Sequence, residues 1–83
     1  MPTLIMFRSL TYAQRGSRLL LRSGISADVT KAPQGTTDRG CTYCVRVADS
    51  KLDRALGALE SSGIQHGRVL QLSSDGSYRE LRP

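Results

Sequence analysis

The stretch LLRSGI at residues 20–25 recurs as LESSGI at residues 59–64, and the two copies lie 39 residues apart. In both copies a leucine is followed four residues later by Gly and then by Ile. Glycine adopts the left-handed backbone conformation that ends many helices, and the apolar residue after it closes the cap against the last turn. The repeat therefore predicts two copies of one unit, each containing a helix that ends at this motif.

Each predicted helix lies between two short apolar runs of the length that is typical of β-strands. The elements are expected near residues 3–8, 10–23, 26–31, 41–47, 50–62 and 67–72. Two β-α-β units in tandem form a ferredoxin-like βαββαβ sandwich, in which a four-stranded antiparallel sheet carries both helices on one face. The predicted fold class is therefore α+β, with a single ferredoxin-like domain over residues 1–72 and a polar C-terminal tail over residues 73–83.

Alternation along the predicted strands assigns their residues to the two faces of the sheet. The repeat places one set in a common register, which we assign to the face under the helices: Leu4, Met6, Tyr43, Val45 and Val47. The other set would lie on the face without helices, here called the open face: Ile5, Phe7, Cys44 and Arg46. Because that face would be unusually apolar, we expect either a symmetric homodimer that buries it or a tail strand that covers it with Tyr78 and Leu81.

Small residues and caps set the details of the two helices. Ala13 and Gly16 lie with Leu20 on the predicted inward face of the first helix, where their small size lets the helix lie close on the sheet. Ser50 and Asp53 stand three residues apart, as in the capping box that begins many helices. We therefore expect the second helix to begin there.

The composition is that of a small globular protein. The chain has 83 residues, of which 39% are hydrophobic and 23% charged, and this argues against a disordered chain. The longest apolar runs, at residues 4–7 and 19–21, are far shorter than a membrane span and lack the flanks of a signal peptide. We therefore expect a soluble, cytoplasmic protein with no membrane partner.

Positive charge is in excess and is spread along the chain. Twelve Lys and Arg residues against seven Asp and Glu give a net charge of +5. This balance permits nucleic acids, nucleotides or acidic proteins as partners but does not select among them. Arg15, Arg18 and Arg22 share one face of the first helix, which is either a docking face for an acidic partner or an ordinary solvated face.

Cys41 and Cys44, three residues apart, are the best candidates for chemistry. A thiol reacts as the thiolate, so its surroundings must favour negative charge. Cys41 follows Arg39 and Gly40 at the end of a polar loop, where the guanidinium, free N–H groups and solvent favour the thiolate. Cys44 lies inside the strand, about 10 Å away if the strand is extended, which is too far for a disulfide. Cys41 is therefore the candidate reactive residue and Cys44 a packing residue, unless both are only small buried hydrophobes.

No metal or cofactor is predicted. Cys41, Cys44 and His66 supply at most three ligands for zinc, whereas structural zinc sites use four. Nothing in the sequence places His66 beside Cys41 as a catalytic base, so we expect His66 to be a turn residue.

The chain from residue 3 to about residue 72 resembles a family of small sulfur/selenium carrier-like proteins. Members share an apolar first strand, helices that end in Gly-Ile, and a cysteine that opens the third strand. The matching segments here are LLRSGI at residues 20–25, CTYCVR at residues 41–46 and SGI at residues 62–64. Thr42 stands where the family usually has glycine.

The resemblance implies that Cys41 carries a persulfide or selenopersulfide. Four neighbouring residues would support it: Arg39, Gly40, Cys44 and Arg46. The partners would be sulfur donor and acceptor proteins, and the chain would be a carrier or binding protein rather than a stand-alone enzyme.

Two other functions fit the same predicted fold. An RNA-recognition domain has this topology and stacks bases on aromatic residues of its two central strands, on the open face. The segment RGCTYCVR at residues 39–46 matches its signature at the opening Arg-Gly pair, at Tyr43 and loosely in its apolar residues, and Phe7 is the one aromatic residue expected on the open face. A dimerising or ligand-sensing module without chemistry would instead use the open face as its interface.

Overall fold

Two helices pack on one face of a five-stranded sheet in the computed structural model of the chain, which describes residues 2–32 and 43–81. The elements follow one another as β1 (Pro2–Phe7), α1 (Leu10–Arg22), β2 (Asp28–Lys31), β3 (Tyr43–Ala48), a 3₁₀ turn (Asp49–Lys51), α2 (Leu52–Ser61), β4 (Val69–Leu72) and β5 (Tyr78–Leu81). The α+β class is confirmed, and both helices and the first four strands lie within a few residues of their predicted positions.

The strands are ordered β2-β3-β1-β4-β5, and each neighbouring pair is antiparallel. β1 and β3 therefore lie side by side in the interior of the sheet, as expected. The prediction of a four-stranded sheet was wrong, because the sheet has a fifth strand, β5, which pairs with β4. β5 lies within the segment that we expected to be a polar tail. A tight turn joins the two strands: the Gly76 N–H donates to the Ser73 carbonyl at 3.0 Å, and Gly76 has a φ of 88°.

The repeated Gly-Ile motif ends both helices as predicted. Gly24 and Gly63 have φ values of 81° and 71°, in the left-handed region that glycine tolerates best. The Ile25 N–H donates to the Leu20 carbonyl at 2.8 Å, and the Ile64 N–H donates to the Leu59 carbonyl at 3.0 Å. These are the closing hydrogen bonds of a Schellman motif in each unit.

The core under the helices contains strand residues from both β1 and β3, but the predicted faces of β1 are reversed. Ile5 and Phe7, which were expected on the open face, are fully buried under α1 and α2 with Val45 and Val47. The cause is the antiparallel register, which pairs Ile5 with Val45 and places the two side chains on the same face. The 39-residue offset that aligns the two helices is wrong by one residue for β1 and β3. A shift of one residue moves every side chain of a strand to the other face of the sheet.

The open face carries a second apolar cluster, formed by Leu4, Met6, Cys44 and Leu70, each almost fully buried. Cys44 and Arg46 do lie on this side, as predicted for β3. Tyr78 of β5 packs against the cluster, in agreement with the alternative in which a tail strand covers the open face. Leu81 does not contribute to that cover, because it borders a groove beside α2.

α1 lies close on the sheet through its small residues. Ala13, Gly16 and Leu20 are buried as predicted, and Ser17 also faces inward. The Ser17 hydroxyl donates to the Ala27 carbonyl at 2.6 Å, which ties α1 to the chain just before β2.

The two helices begin in different ways. Ser9 is the N-cap of α1, and its hydroxyl accepts from the Tyr12 N–H at 3.3 Å. The capping box expected at Ser50 and Asp53 does not form, because a 3₁₀ turn precedes α2 and the N-cap position falls on Lys51, which makes no side-chain cap bond. Asp49 accepts a hydrogen bond from the Thr3 hydroxyl, which holds the turn against β1.

Candidate functional site

Three described strand ends meet where β3 begins. Tyr43, the first residue of β3, pairs with Phe7 at the end of β1 and with Lys31 at the end of β2. The predicted site residues Arg39, Gly40 and Cys41 lie outside the described residues. Along the chain, Thr42 alone separates Cys41 from Tyr43. The described groups around the start of β3 are therefore the ones that bear most directly on the candidate thiol.

Positive charge dominates these described groups. Arg8 directly follows β1 and Lys31 ends β2, and both side chains are exposed. The Arg8 guanidinium lies 5.8 Å from the centre of the Tyr12 ring, a favourable cation–π contact. α1 begins two residues after Arg8 with no acidic residue in its first turn, so its positive dipole end is not neutralised within the helix. An anion near the start of β3 would be stabilised.

Cys44 has the surroundings of a packing residue. Its side chain is 0% exposed and contacts the apolar cluster on the open face. Burial raises the pKa of the Cys44 thiol, and the charge of Arg46 opposes that shift only in part. A buried thiol with a raised pKa stays protonated and unreactive at neutral pH. The assignment of Cys44 to packing therefore agrees with the structure.

Arg46 is directed toward a different partner. Its guanidinium lies 3.5 Å from the carboxylate of Asp28, its register partner on β2. Arg46 is also three residues along β3 from Tyr43, about 10 Å in an extended strand. Among the described residues, Arg8 and Lys31 supply the positive charge beside the start of β3, and neither was predicted from the sequence. The signal in the sequence is that Arg8 directly follows β1 and Lys31 ends β2, and these two strands flank β3.

The family model described as "Putative Se/S carrier protein-like" matches residues 3–71. The chain belongs to this family. The match confirms the resemblance found in the sequence and covers both helices, β2, β3, all of β1 except Pro2, and most of β4. No curated protein and no solved structure matches the chain.

In this member of the Se/S carrier-like family, His66 lies at the same end of the sheet as the start of β3. The next residue, Gly67, donates its N–H to the Met6 carbonyl at 2.7 Å, on the side of β1 away from Tyr43. Two strand spacings, about 10 Å, therefore separate Gly67 from Tyr43. The His66 ring is exposed, with Nδ1 at 2.7 Å from the Gly67 carbonyl. Within residues 2–32 and 43–81, no group of three His, Cys, Asp or Glu side chains could hold a metal ion.

The stacking surface of an RNA-recognition domain is not built on the two central strands. Phe7 was the aromatic residue expected on the open face, but it is fully buried under α1. Tyr43 packs against the same helix-covered core. The aromatic side chains of β1 and β3 are therefore not available for stacking on bases.

Two grooves are lined by described residues, and neither of them opens at the start of β3. A groove of about 780 Å³, here called the α2 groove, lies between α2 and the edge of the sheet formed by β4 and β5. A second of about 780 Å³ lies at the opposite end of β3, beside Arg46 and the 3₁₀ turn.

Neither α1 nor α2, the helices of the described part of the chain, is long and apolar enough to cross a lipid bilayer.

Proposed function

We propose that this member of the Se/S carrier-like family carries sulfane sulfur, or the corresponding selenium, as a persulfide on Cys41. The observation that carries the proposal is the family match over residues 3–71, together with the positive groups around the start of β3. The carrier would act in the cytoplasm, where thiols are kept reduced. It would receive its cargo from one protein and deliver it to another.

The proposed transfer needs no external oxidant or reductant. The Cys41 thiolate attacks the terminal sulfur of a persulfide on the donor protein. A new S–S bond forms at Cys41, the donor's S–S bond breaks, and the donor cysteine leaves as a thiolate. Delivery repeats the exchange, with the acceptor's thiolate attacking the terminal sulfur and Cys41 leaving as a thiolate. Both steps are thiol–disulfide type exchanges.

The electrostatics near β3 support an anionic cargo. Two residues of chain span at most about 7 Å, so Cys41 is tethered within that distance of Tyr43. Arg8, Lys31 and the N-terminus of α1 lie near the start of β3, and nearby positive charge lowers the pKa of a thiol or persulfide. The same charges would stabilise the thiolate as leaving group when the cargo is delivered.

The burial of Cys44 protects the proposed cargo. A second thiolate close to a persulfide can attack its inner sulfur, form a disulfide and release the terminal sulfur as hydrogen sulfide. Cys44 is fully buried in the apolar cluster, and burial raises its pKa. Both properties keep it from acting as such a nucleophile.

Mass spectrometry after incubation with a cysteine desulfurase and cysteine tests the proposal. We expect the mass of one added sulfur atom, located on the peptide that contains Cys41 and removed by a reducing agent. The matched controls are Cys41→Ser, which should gain no sulfur, and Cys44→Ser, which should still gain it. Added sulfur on Cys44, or none on either residue while a known acceptor protein is loaded in the same mixture, would overturn the proposal.

The arrangement of the strands and helices supports a more specific description than the α+β class. We propose that β1 to β4 and the two helices are a ferredoxin-like core to which β5 is added at the β4 edge. The order β2-β3-β1-β4 and the burial of both helices against one face support this interpretation.

A further inference from the structure

The outward faces of the two helices carry opposite charge. On α1, Arg15, Arg18 and Arg22 are exposed, and the helix contains no acidic residue. On α2, Asp53, Arg54 and Glu60 are exposed, so two carboxylates and one guanidinium leave that helix with a net charge of −1. Among residues 2–32 and 43–81, the ion pairs join Arg46 to Asp28 and Arg68 to Glu80, and neither pair involves a side chain of α1 or α2.

The spacing of these charges matches between the two helices. Arg15 and Arg22 are seven residues apart, as are Asp53 and Glu60. Seven residues of α-helix are two turns, about 10.5 Å, and residues at this spacing lie on one face. The two charged faces are therefore complementary in sign and in length.

Gly57 lies between Asp53 and Glu60 and packs against no other part of the chain that the structure describes. It is in the interior of α2, it is exposed, and a Cβ placed on it would meet nothing within 4 Å. Glycine destabilises a helix interior relative to alanine. A bare backbone at the centre of an acidic helix face is the feature that allows another helix to approach closely.

We propose that two copies of the chain pack through their helix layers, with α1 of each copy on α2 of the other. β1 and β3 are antiparallel, and each is followed by a helix that returns along the sheet, so α1 and α2 are antiparallel. Rotation about a two-fold axis parallel to the helices does not change the direction of any helix. Because α1 and α2 are antiparallel within one chain, α1 of one copy is also antiparallel to α2 of the other copy. One register then brings Arg15 opposite Glu60 and Arg22 opposite Asp53, with Arg18 opposite Gly57.

An exposed leucine fits the same arrangement. Leu21 is 56% exposed and lies four residues after Ser17, on the flank of α1 that is tied to Ala27 before β2. That flank is turned away from α2 of its own chain. In the two-fold arrangement it projects beyond the second copy's α2, over the α2 groove, whose apolar lining includes Leu56, Ile64 and Leu81.

The size of the helix layer predicts a weak, salt-sensitive dimer. Helices of 13 and 10 residues are about 20 and 15 Å long and about 10 Å wide. Their combined footprint is below the roughly 800 Å² per partner of a typical stable interface. Surface charge pairs are also screened by salt. We therefore expect dimers at high micromolar concentration in low salt and monomers in high salt.

Sedimentation of charge-reversed chains tests the proposal under reducing conditions. The variant R15E/R22E should weaken association at least about tenfold, and so should D53R/E60R, because each juxtaposes like charges. An equimolar mixture of the two variants should form a heterodimer, since one chain then has two acidic helix faces and the other two basic ones. The matched control K31E/R79E has the same charge change as R15E/R22E away from these faces, and it should still dimerise.

Gly57→Leu provides a second, independent readout. Its larger side chain should weaken association, while the monomer in high salt becomes more stable to urea because leucine favours the helix. A wild-type chain that remains monomeric in low salt at high micromolar concentration would overturn the proposal. So would a mixture of the charge-reversed variants that shows no complex.

Discussion

The close packing of α1 on β1 can be tested at Gly16 with one methyl group. A Cβ built on Gly16 would lie 2.8 Å from Cζ of Phe7, 3.2 Å from its Cε2 and 3.4 Å from Cδ2 of Leu59. The Phe7 ring is fully buried under α1, so it has little room to move. Gly16→Ala therefore forces the ring or the helix to shift.

The expected effect is the difference between two opposing terms. Overpacking of a well-packed core costs about 1–3 kcal/mol. Replacing glycine by alanine inside a helix stabilises it by about 1 kcal/mol. We expect Gly16→Ala to lose about 1 kcal/mol of unfolding free energy, which lowers the melting temperature of a domain this small by about 4–8 °C.

Gly57→Ala is the matched control, because it makes the same substitution in α2, where a Cβ meets nothing within 4 Å. Gly57→Ala should raise the free energy of unfolding by about 1 kcal/mol, because the higher helix propensity of alanine is then the only effect. Urea unfolding of both variants, in high salt and at low protein concentration, measures the two values. If Gly16→Ala stabilised the protein as much as Gly57→Ala, the close contact between α1 and β1 would be refuted.

Three further predictions concern the thiols and one carboxylate. An alkylating reagent should modify Cys41 in the native protein well before Cys44, which should react only on unfolding because it is fully buried; equal rates measured by peptide mass spectrometry would contradict the assignment of Cys44 to packing. Arg8→Gln and Lys31→Gln should each slow the alkylation of Cys41 at neutral pH by raising its pKa, and a pH–rate profile that does not move in either variant would remove the electrostatic argument. The hydrogen bond from the Thr3 hydroxyl lowers the pKa of Asp49 in the folded protein. The ionised Asp49 carboxylate therefore stabilises the fold fully above the unfolded-state pKa of about 3.9, and this contribution is lost as the pH falls through the lower folded-state pKa. Urea unfolding below pH 4 should therefore bring wild type and Asp49→Asn closer in stability, whereas a gap that stays constant with pH would contradict this role.

Local signals predicted the helices and their ends well. The Gly-Ile motif after Leu20 and Leu59 acts within one turn of chain, so its meaning does not depend on tertiary contacts. Ala13 and Gly16 were recognised as inward-facing because helical spacing alone places them with Leu20. At these positions the deciding interactions lie within a few residues, so the sequence was sufficient. The capping box expected at Ser50 and Asp53 is the exception, because a 3₁₀ turn precedes α2.

The face of β1 could not be predicted because every residue from Thr3 to Phe7 is buried. An apolar strand covered on both sides has no alternation of polar and apolar residues to fix its register. The repeat supplied a register in its place, and a mismatch of one residue reversed Ile5 and Phe7. Only the pairing with β3 decides between the two possibilities.

β5 was missed although the sequence contains a signal for it. Asp75 and Gly76 form a turn dipeptide, and the Asp75 carboxylate accepts from the Ser77 N–H at 3.0 Å. The four residues that follow, from Tyr78 to Leu81, place apolar side chains only at their two ends. A segment this short and polar forms a strand only because it pairs with β4. The β-propensity of its residues does not predict that pairing.

The candidate site was predicted through Cys41, but its described surroundings depend on tertiary structure. Arg8 and Lys31 are far apart in sequence and meet the start of β3 only because β1 and β2 flank that strand. Arg46 was expected to support the thiol, and the ion pair that its guanidinium makes with Asp28 depends on the pairing of β2 with β3. Which charges face a thiol is set by strand order, which no local pattern contains.

Transfer of labelled sulfur is the measurement that most directly tests the carrier function. The chain is loaded by a cysteine desulfurase with ³⁵S-cysteine, freed of small molecules, and mixed with an acceptor thiol protein. We expect label on Cys41 that then moves to the acceptor, retention of this activity in Cys44→Ser and its loss in Cys41→Ser. Label that stays bound to Cys41 in the presence of acceptor thiolate, or transfer that persists in Cys41→Ser, would contradict the account.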